Sequence, residues 1–360
     1  MSARERRLHH TGRFELDGGD VLDGVVQAYR LDGELNEARD NLVIVFHSLT
    51  GSPDDAGGWW GTVVGPGKTV DTERYAVLST NLLGSCYGTT GPREVRPFPA
   101  VTPGDQARLV QLLVDELGVR SVALATGGSL GGMVAMEWAA RNPTLARSVV
   151  VFAAPAAHTA YAIAWNHVQR AAIEAAGQRG LEIARMVGMM TYRTAAEQAE
   201  RFGRARDGDG SWSIASYLDH HGRKLLDRFD VDSYVALTQA MDAHDVGRGR
   251  GGVARALRRI EGRLVGVGIP GDLLYAPEDV RAWVDAAGAE YREIVSTRGH
   301  DAFLLEPEQV AEILGEALEA GESRASGWDG ANEFTATTAR SRFATDASYP
   351  LARAAIGGGR

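Results

Sequence analysis

Of the 360 residues only one, Cys86, is a cysteine. No internal disulfide can form, and an intracellular setting is expected. Uninterrupted apolar runs are too short to span a bilayer. The charged start Met1-Ser2-Ala3-Arg4-Glu5-Arg6-Arg7 has no apolar run behind it to act as a signal peptide. A soluble, cytoplasmic protein without a membrane partner is therefore expected. Positive charge is not in excess either. The formal net charge of -9 argues against a nucleic-acid partner, although it leaves room for a local basic patch facing an anionic cofactor. An H-E-x-x-H pattern and a cysteine cluster are both missing, so no catalytic metal is expected. No internal repeat divides the chain.

What is present is apolar material, 44% of the residues, enough for a sizeable core. Short apolar runs rich in β-branched residues, at 25–31, 41–47, 75–81, 121–125 and 148–152, read as strands, several of them buried on both faces. A helical spacing over 102–117 leads into the fourth of these runs. From about 157 to 247 the chain turns rich in Ala, Arg, Glu and Met with helical spacing, and reads as a helical insertion. Strand signals return at 263–269 and 291–295, with an amphipathic helix over 277–287 between them and a last helix over 307–318. Strands alternating with helices predict an α/β fold with a mostly parallel sheet. The core is expected over 1–156 and 248–320, the insertion over 157–247, and a flexible tail over 321–360. The histidines at 9 and 10 read as part of a disordered N-terminus.

One stretch concentrates the chemistry. Gly127, Ser129 and Gly131 fit G-x-S-x-G, between an apolar run ending at Ala125 and a helical pattern through Val134, Met136, Trp138 and Ala139. In that strand–turn–helix setting the pattern marks a nucleophile elbow of the α/β-hydrolase plan. Alone it is short, and a glycine-rich turn of this kind can also bind a phosphate, or nothing. A serine nucleophile needs a base, and the base needs an orienting group. On this plan the order is Ser, Asp or Glu, His, and the chain supplies Asp272 and His300 on consecutive post-strand loops. The alternative for Asp272 is a turn-capping residue ahead of Pro277, and for His300 a surface-loop histidine. The oxyanion hole would use the backbone N–H of Leu130 and that of Leu49, with Thr50 as its neighbour. His47 ends a buried strand and is expected to hold the loop that follows.

The motifs around these residues resemble one family. His47-Ser48-Leu49-Thr50-Gly51, Gly58-Trp59-Trp60, Gly65-Pro66-Gly67-Lys68 and Asn81-Leu82-Leu83-Gly84-Ser85-Cys86-Tyr87-Gly88-Thr89-Thr90-Gly91-Pro92 are similar to the homoserine O-acetyltransferases. So are Gly127 to Met133, Tyr192-Arg193, Gly222-Arg223-Lys224, Arg228-Phe229-Asp230, Ala240-Met241-Asp242-Ala243-His244-Asp245 and Gly299-His300-Asp301-Ala302-Phe303-Leu304, in order along the chain. The resemblance implies ping-pong transfer of an acetyl group from acetyl-CoA, a co-substrate and not a resident cofactor, to the hydroxyl of L-homoserine on the way to methionine. It matches Ser129, Asp272 and His300 to the nucleophile, acid and base. It matches Arg193 to the arginine holding the amino-acid carboxylate and Asp301 to the aspartate near the ammonium group. It also implies a helical lid and a homodimer.

Departures from the family pattern cluster near the expected pockets. Ser48 stands where the family has Ala, Ser52-Pro53-Asp54-Asp55 lacks a usual histidine, and 93–102 is short. Leu130 stands where the family has Met, and is expected beside the acyl group. A succinyl-CoA donor, a serine acceptor, an esterase or thioesterase, and a non-catalytic binding protein on the same fold are the alternatives.

Overall fold

The computed structural model describes residues 6–326. Eight strands, β1 (Arg7–Glu15), β2 (Val21–Asp32), β3 (Leu42–Phe46), β4 (Ala76–Thr80), β5 (Val122–Gly128), β6 (Ser148–Phe152), β7 (Arg263–Gly268) and β8 (Glu290–Glu293), form one sheet in the order β1-β2-β4-β3-β5-β6-β7-β8. From β4 to β8 all neighbours run parallel, while β1 and β2 form an antiparallel edge. The helices are α1 (Pro103–Glu116), α2 (Leu130–Arg141), α3 (Ala160–Tyr192), α4 (Ala195–Phe202), α5 (Ser213–Leu226), α6 (Val231–Asp242), α7 (Val253–Leu257), α8 (Pro277–Ala287), α9 (Ala302–Leu305) and α10 (Pro307–Ser326). This is the α/β-hydrolase architecture that the strand and motif pattern predicts.

Strands β3 to β6 are buried at every position because both faces of the sheet are covered. In β3 the side chains of Leu42, Ile44 and Phe46 point to the face packed by α1, α2 and α8, whereas Val43 and Val45 point to the face packed by α10. The period of two along one strand thus feeds two cores. Thr102 fixes the start of α1. Its hydroxyl accepts from Asp105 N at 3.0 Å, and the Asp105 carboxylate accepts from Thr102 N at 2.9 Å. These two bonds satisfy two otherwise orphaned donors.

Two boundaries differ from expectation. His9 and His10 lie within β1, not in a disordered start, and His9 is buried with its Nε2 3.0 Å from Glu116 Oε2. The strand is an edge made of RLHHTGRFE, whose polar side chains give little apolar alternation to read. At the other end α10 runs to Ser326, past the boundary expected at 320, and Glu322 ties it down through Arg74 at 2.8 Å and the Tyr75 hydroxyl. The remainder of the expected tail lies outside the described residues. The insertion forms α3 to α6, with α3 packed on α5 and α6 and broken at Gly177, where φ is 53°. No helix among the described residues is long and apolar enough to cross a membrane.

Candidate active site

The chain leaves β5, turns at Ser129 and enters α2 at Leu130. Ser129 has φ 57° and ψ -126°, a conformation that costs a non-glycine residue energy and persists only when its surroundings impose it. Two constraints impose it here. Ser129 N donates to Phe152 O at 3.0 Å. The turn is also so tight that a Cβ on Gly131 would collide with the Phe46 carbonyl, and one on Gly127 with the Gly131 backbone. The glycines of G-x-S-x-G are thus explained by close backbone approach. The serine is only 6% exposed, at the floor of a cavity and at a helix N-terminus.

Asp272 follows β7 and serves both readings that the sequence leaves open, one with each oxygen. Its Oδ1 accepts from Leu274 N at 2.8 Å and Tyr275 N at 3.0 Å, which caps the turn. Its Oδ2 lies 2.7 Å from His300 Nδ1. That contact assigns the Nδ1 proton to the hydrogen bond with Asp272 and leaves Nε2 as the free base. The imidazole is fully enclosed, with ring centroids 5.3 Å from Tyr275 and 5.6 Å from both Tyr192 and Phe303. Burial disfavours the imidazolium, but the charge and hydrogen bond of Asp272, with Asp301 behind them, outweigh it. The pKa of His300 is raised above its ordinary value.

Ser129, His300 and Asp301 line one cavity with the loop after β3, including Leu49 and Thr50. No backbone carbonyl among the described residues takes the Leu49 N–H. The Leu130 N–H, in the first turn of α2, has no partner within the helix. The Leu130 side chain, by contrast, is not beside the acyl position. It is buried in the core and does not line the cavity. Its isobutyl group packs among the core residues instead. Ser48 does line the cavity, and its hydroxyl donates to Gly128 O at 3.1 Å. His47 ties two loops together: its Nδ1–H donates to Ser48 O at 2.8 Å, and Leu82 N donates to its Nε2 at 3.3 Å.

Arg193 and Asp301 meet. Arg193 Nε lies 3.2 Å from Asp301 Oδ2, and its Nη1 lies 2.9 Å from Glu197 Oε1. Arg193 stands behind Asp301, outside the cavity lining, whereas Arg185 and Tyr192 of α3 reach the cavity itself. Sequence reasoning assigned no role to Arg185, Arg228 or Tyr275, although Arg228 stands in one of the motifs that carry the resemblance. The Tyr275 hydroxyl lies against Ser129 and 3.0 Å from His158 Nε2, and His158 Nδ1 is 3.2 Å from Asp242 Oδ1. The one available signal was the position of Tyr275 in the same post-strand loop as Asp272.

A family model described as the α/β hydrolase fold matches residues 41–236. The homoserine O-acetyltransferase of Thermobifida fusca is 43% identical over 343 aligned residues, covering 84% of this chain and 90% of that protein. Among solved structures, the homoserine O-acetyltransferase of Staphylococcus aureus superposes with a TM-score of 0.77 at 30% identity, covering 87% of this chain and 95% of that one. Esterase E22 superposes with a TM-score of 0.80 at 22% identity over 87% of this chain and 99% of its own, a likeness of fold. The chain belongs to the homoserine O-acetyltransferase family, acyltransferases built on the α/β-hydrolase fold.

Proposed function

We propose that the protein transfers the acetyl group of acetyl-CoA to the hydroxyl of L-homoserine through an acetyl-enzyme on Ser129, a step that activates homoserine for methionine synthesis. The observation that carries this reading is the Arg193–Asp301 ion pair beside the base, each side chain less than one-fifth exposed. A free amino acid is a zwitterion. Its ammonium group can take the carboxylate of Asp301 at the cavity wall, and its carboxylate the guanidinium of Arg193 once that side chain turns out from behind Asp301, so one molecule replaces both halves of the pair. An esterase has no use for such a clamp.

In the first half-reaction His300 Nε2 takes the Ser129 hydroxyl proton while Oγ attacks the thioester carbon. The oxyanion forms between the N–H groups of Leu130 and Leu49. The C–S bond then breaks, and the imidazolium returns its proton to the departing thiolate. In the second half, homoserine enters, His300 takes its hydroxyl proton, and the oxygen attacks the acetyl carbon. Ser129 leaves with the proton. Asp272 holds the tautomer and stabilises the imidazolium in both halves. Helices α3 to α6 act as a cover that keeps water from the acetyl-enzyme.

The test follows free CoA thiol and O-acetylhomoserine with and without homoserine. Thiol release that depends on homoserine is the expected result, and equal release without it would establish a hydrolase instead. The clamp has its own signature. Arg193→Ala should raise the KM for homoserine about tenfold or more, the scale of one lost charged hydrogen bond. Acetylation of Ser129 by acetyl-CoA should change far less.

A further inference from the structure

Next to the cavity holding Ser129 lies a second hollow. The two share Thr50, Trp59 and Arg185 as lining, as well as Asp55 and Arg228, so they adjoin. The second hollow adds His221 and Lys224 from α5. Its charge is unusual for this molecule. The chain carries a net charge of -9, and many of its arginines sit in ion pairs. Arg185, Lys224 and Arg228 make no ion pair with a carboxylate among the described residues. Arg185 lies over the Tyr192 ring, and Arg228 donates to Thr50 O at 2.7 Å, Thr50 Oγ1 at 3.1 Å and the Tyr87 hydroxyl at 3.0 Å. The single acid in the lining, Asp55, is buried and its pKa is raised by that burial. Burial, and then the charges of Arg185, His220, Lys224 and Arg193, push His221 down to about 4, so at neutral pH it is an uncharged hydrogen-bonding group. Trp59, 55% exposed, presents a flat aromatic surface at the rim of both hollows.

Three cations left without carboxylates beside an exposed indole are a set of groups that matches a nucleotide. Guanidinium and ammonium groups bind phosphate oxygens, and an aromatic face stacks a base. We propose that the hollow formed by Arg185, Lys224 and Arg228 with Trp59 is the docking site for the phosphate-bearing nucleotide end of the acyl donor. This rests on the acyl-CoA reading above. The nucleotide stays at the rim while the acylated thiol arm passes through the shared opening to Ser129. The donor is thereby recognised by the part of it that does not react, and binding energy gathered at the rim orients the thioester.

The test separates the handle from the acyl group. With wild-type protein, the adenosine bisphosphate fragment of coenzyme A should bind in calorimetry, more weakly as salt is raised. It should compete with acetyl-CoA and not with homoserine. Lys224→Glu should raise the KM for acetyl-CoA about tenfold or more, since it replaces an attraction to phosphate with a repulsion. The KM for acetyl-pantetheine, which carries no nucleotide, should move less than twofold. Lys224→Arg should restore most of the acetyl-CoA value. Equal losses with both donors would overturn the assignment, as would an effect confined to a donor with a dicarboxylic acyl group. Binding of the fragment is read without turnover. A protein that binds it through Lys224 but makes no O-acetylhomoserine would keep this inference and sink the acceptor assignment. A protein that turns over acetyl-CoA without binding the fragment would do the reverse.

Discussion

Ser129→Ala is expected to reduce turnover about ten-thousandfold or more, and to remove the acetyl adduct that intact-mass measurement should detect on the wild-type chain in acetyl-CoA without homoserine. The size follows from the place of the group in the scheme. In the proposed mechanism Ser129 alone becomes covalently linked, and without it the two backbone donors and the base could act only on a direct attack. The fold should tolerate the change. The side chain makes no capping hydrogen bond to α2, and the strain at φ 57° is borne by the backbone. Thermal unfolding of the variant should therefore match that of wild type. An adduct that survives the substitution would move the nucleophile elsewhere.

Asp272→Asn carries the second large effect, about a thousandfold to ten-thousandfold in turnover. Asp272 Oδ1 receives two backbone N–H groups, from Leu274 and Tyr275. In the variant those donors will keep the amide oxygen, which turns the amide NH2 toward His300. An NH2 cannot accept the Nδ1 proton, so His300 is forced to carry its proton on Nε2, where it can no longer take one from Ser129. The pH profile supplies a second readout with a definite sign. The base must be neutral, and the Asp272 charge holds the pKa of His300 above its ordinary value, so wild-type activity should fall on the acid side of a limb lying above about 6.5. Removing the carboxylate leaves burial as the dominant influence. The limb of the residual activity should then move to lower pH. A limb that stays in place would mean that another group titrates.

How much of this was legible in the chain depends on how local the signal is. Ser129, Asp272 and His300 each follow a strand in sequence, and a parallel sheet delivers such positions to one edge, so order and loop placement sufficed to bring them together. Strand β1 was missed because an edge strand with one wet side has no need of an apolar run, and His9 is buried by Glu116, a partner more than a hundred residues away. Leu130 was placed in the acyl pocket by adjacency to Ser129. Adjacent residues at a helix start point in different directions, however, and its side chain packs into the core. The sequence assigns no role to Arg185, and Arg228 enters only as part of the Arg228-Phe229-Asp230 motif. Their position over the site depends on how α3 and α5 pack, and spacing does not record that. Arg193 and Asp301 could be singled out only by resemblance, and their mutual ion pair was visible in neither segment alone.

The seam between the insertion and the sheet has a consequence for how the protein fails. Gly299, in the left-handed region at φ 68°, packs under the end of α3, close enough that a Cβ would lie 3.0 Å from Tyr192 O, and Thr194 bonds to Thr297 O. Tyr192 covers the imidazole itself. The loop that carries His300 is therefore clasped from above by the insertion as well as rooted below in the sheet. Local opening of α3 costs less than global unfolding, because it exposes only part of the buried surface. It would release the base while leaving the eight-stranded core intact. Activity should vanish at a lower denaturant concentration than the far-ultraviolet signal of the sheet, and a disulfide joining α3 to the 297–301 loop should bring the two midpoints together. On that result the working lifetime of the protein would be set by its cover and not by its core.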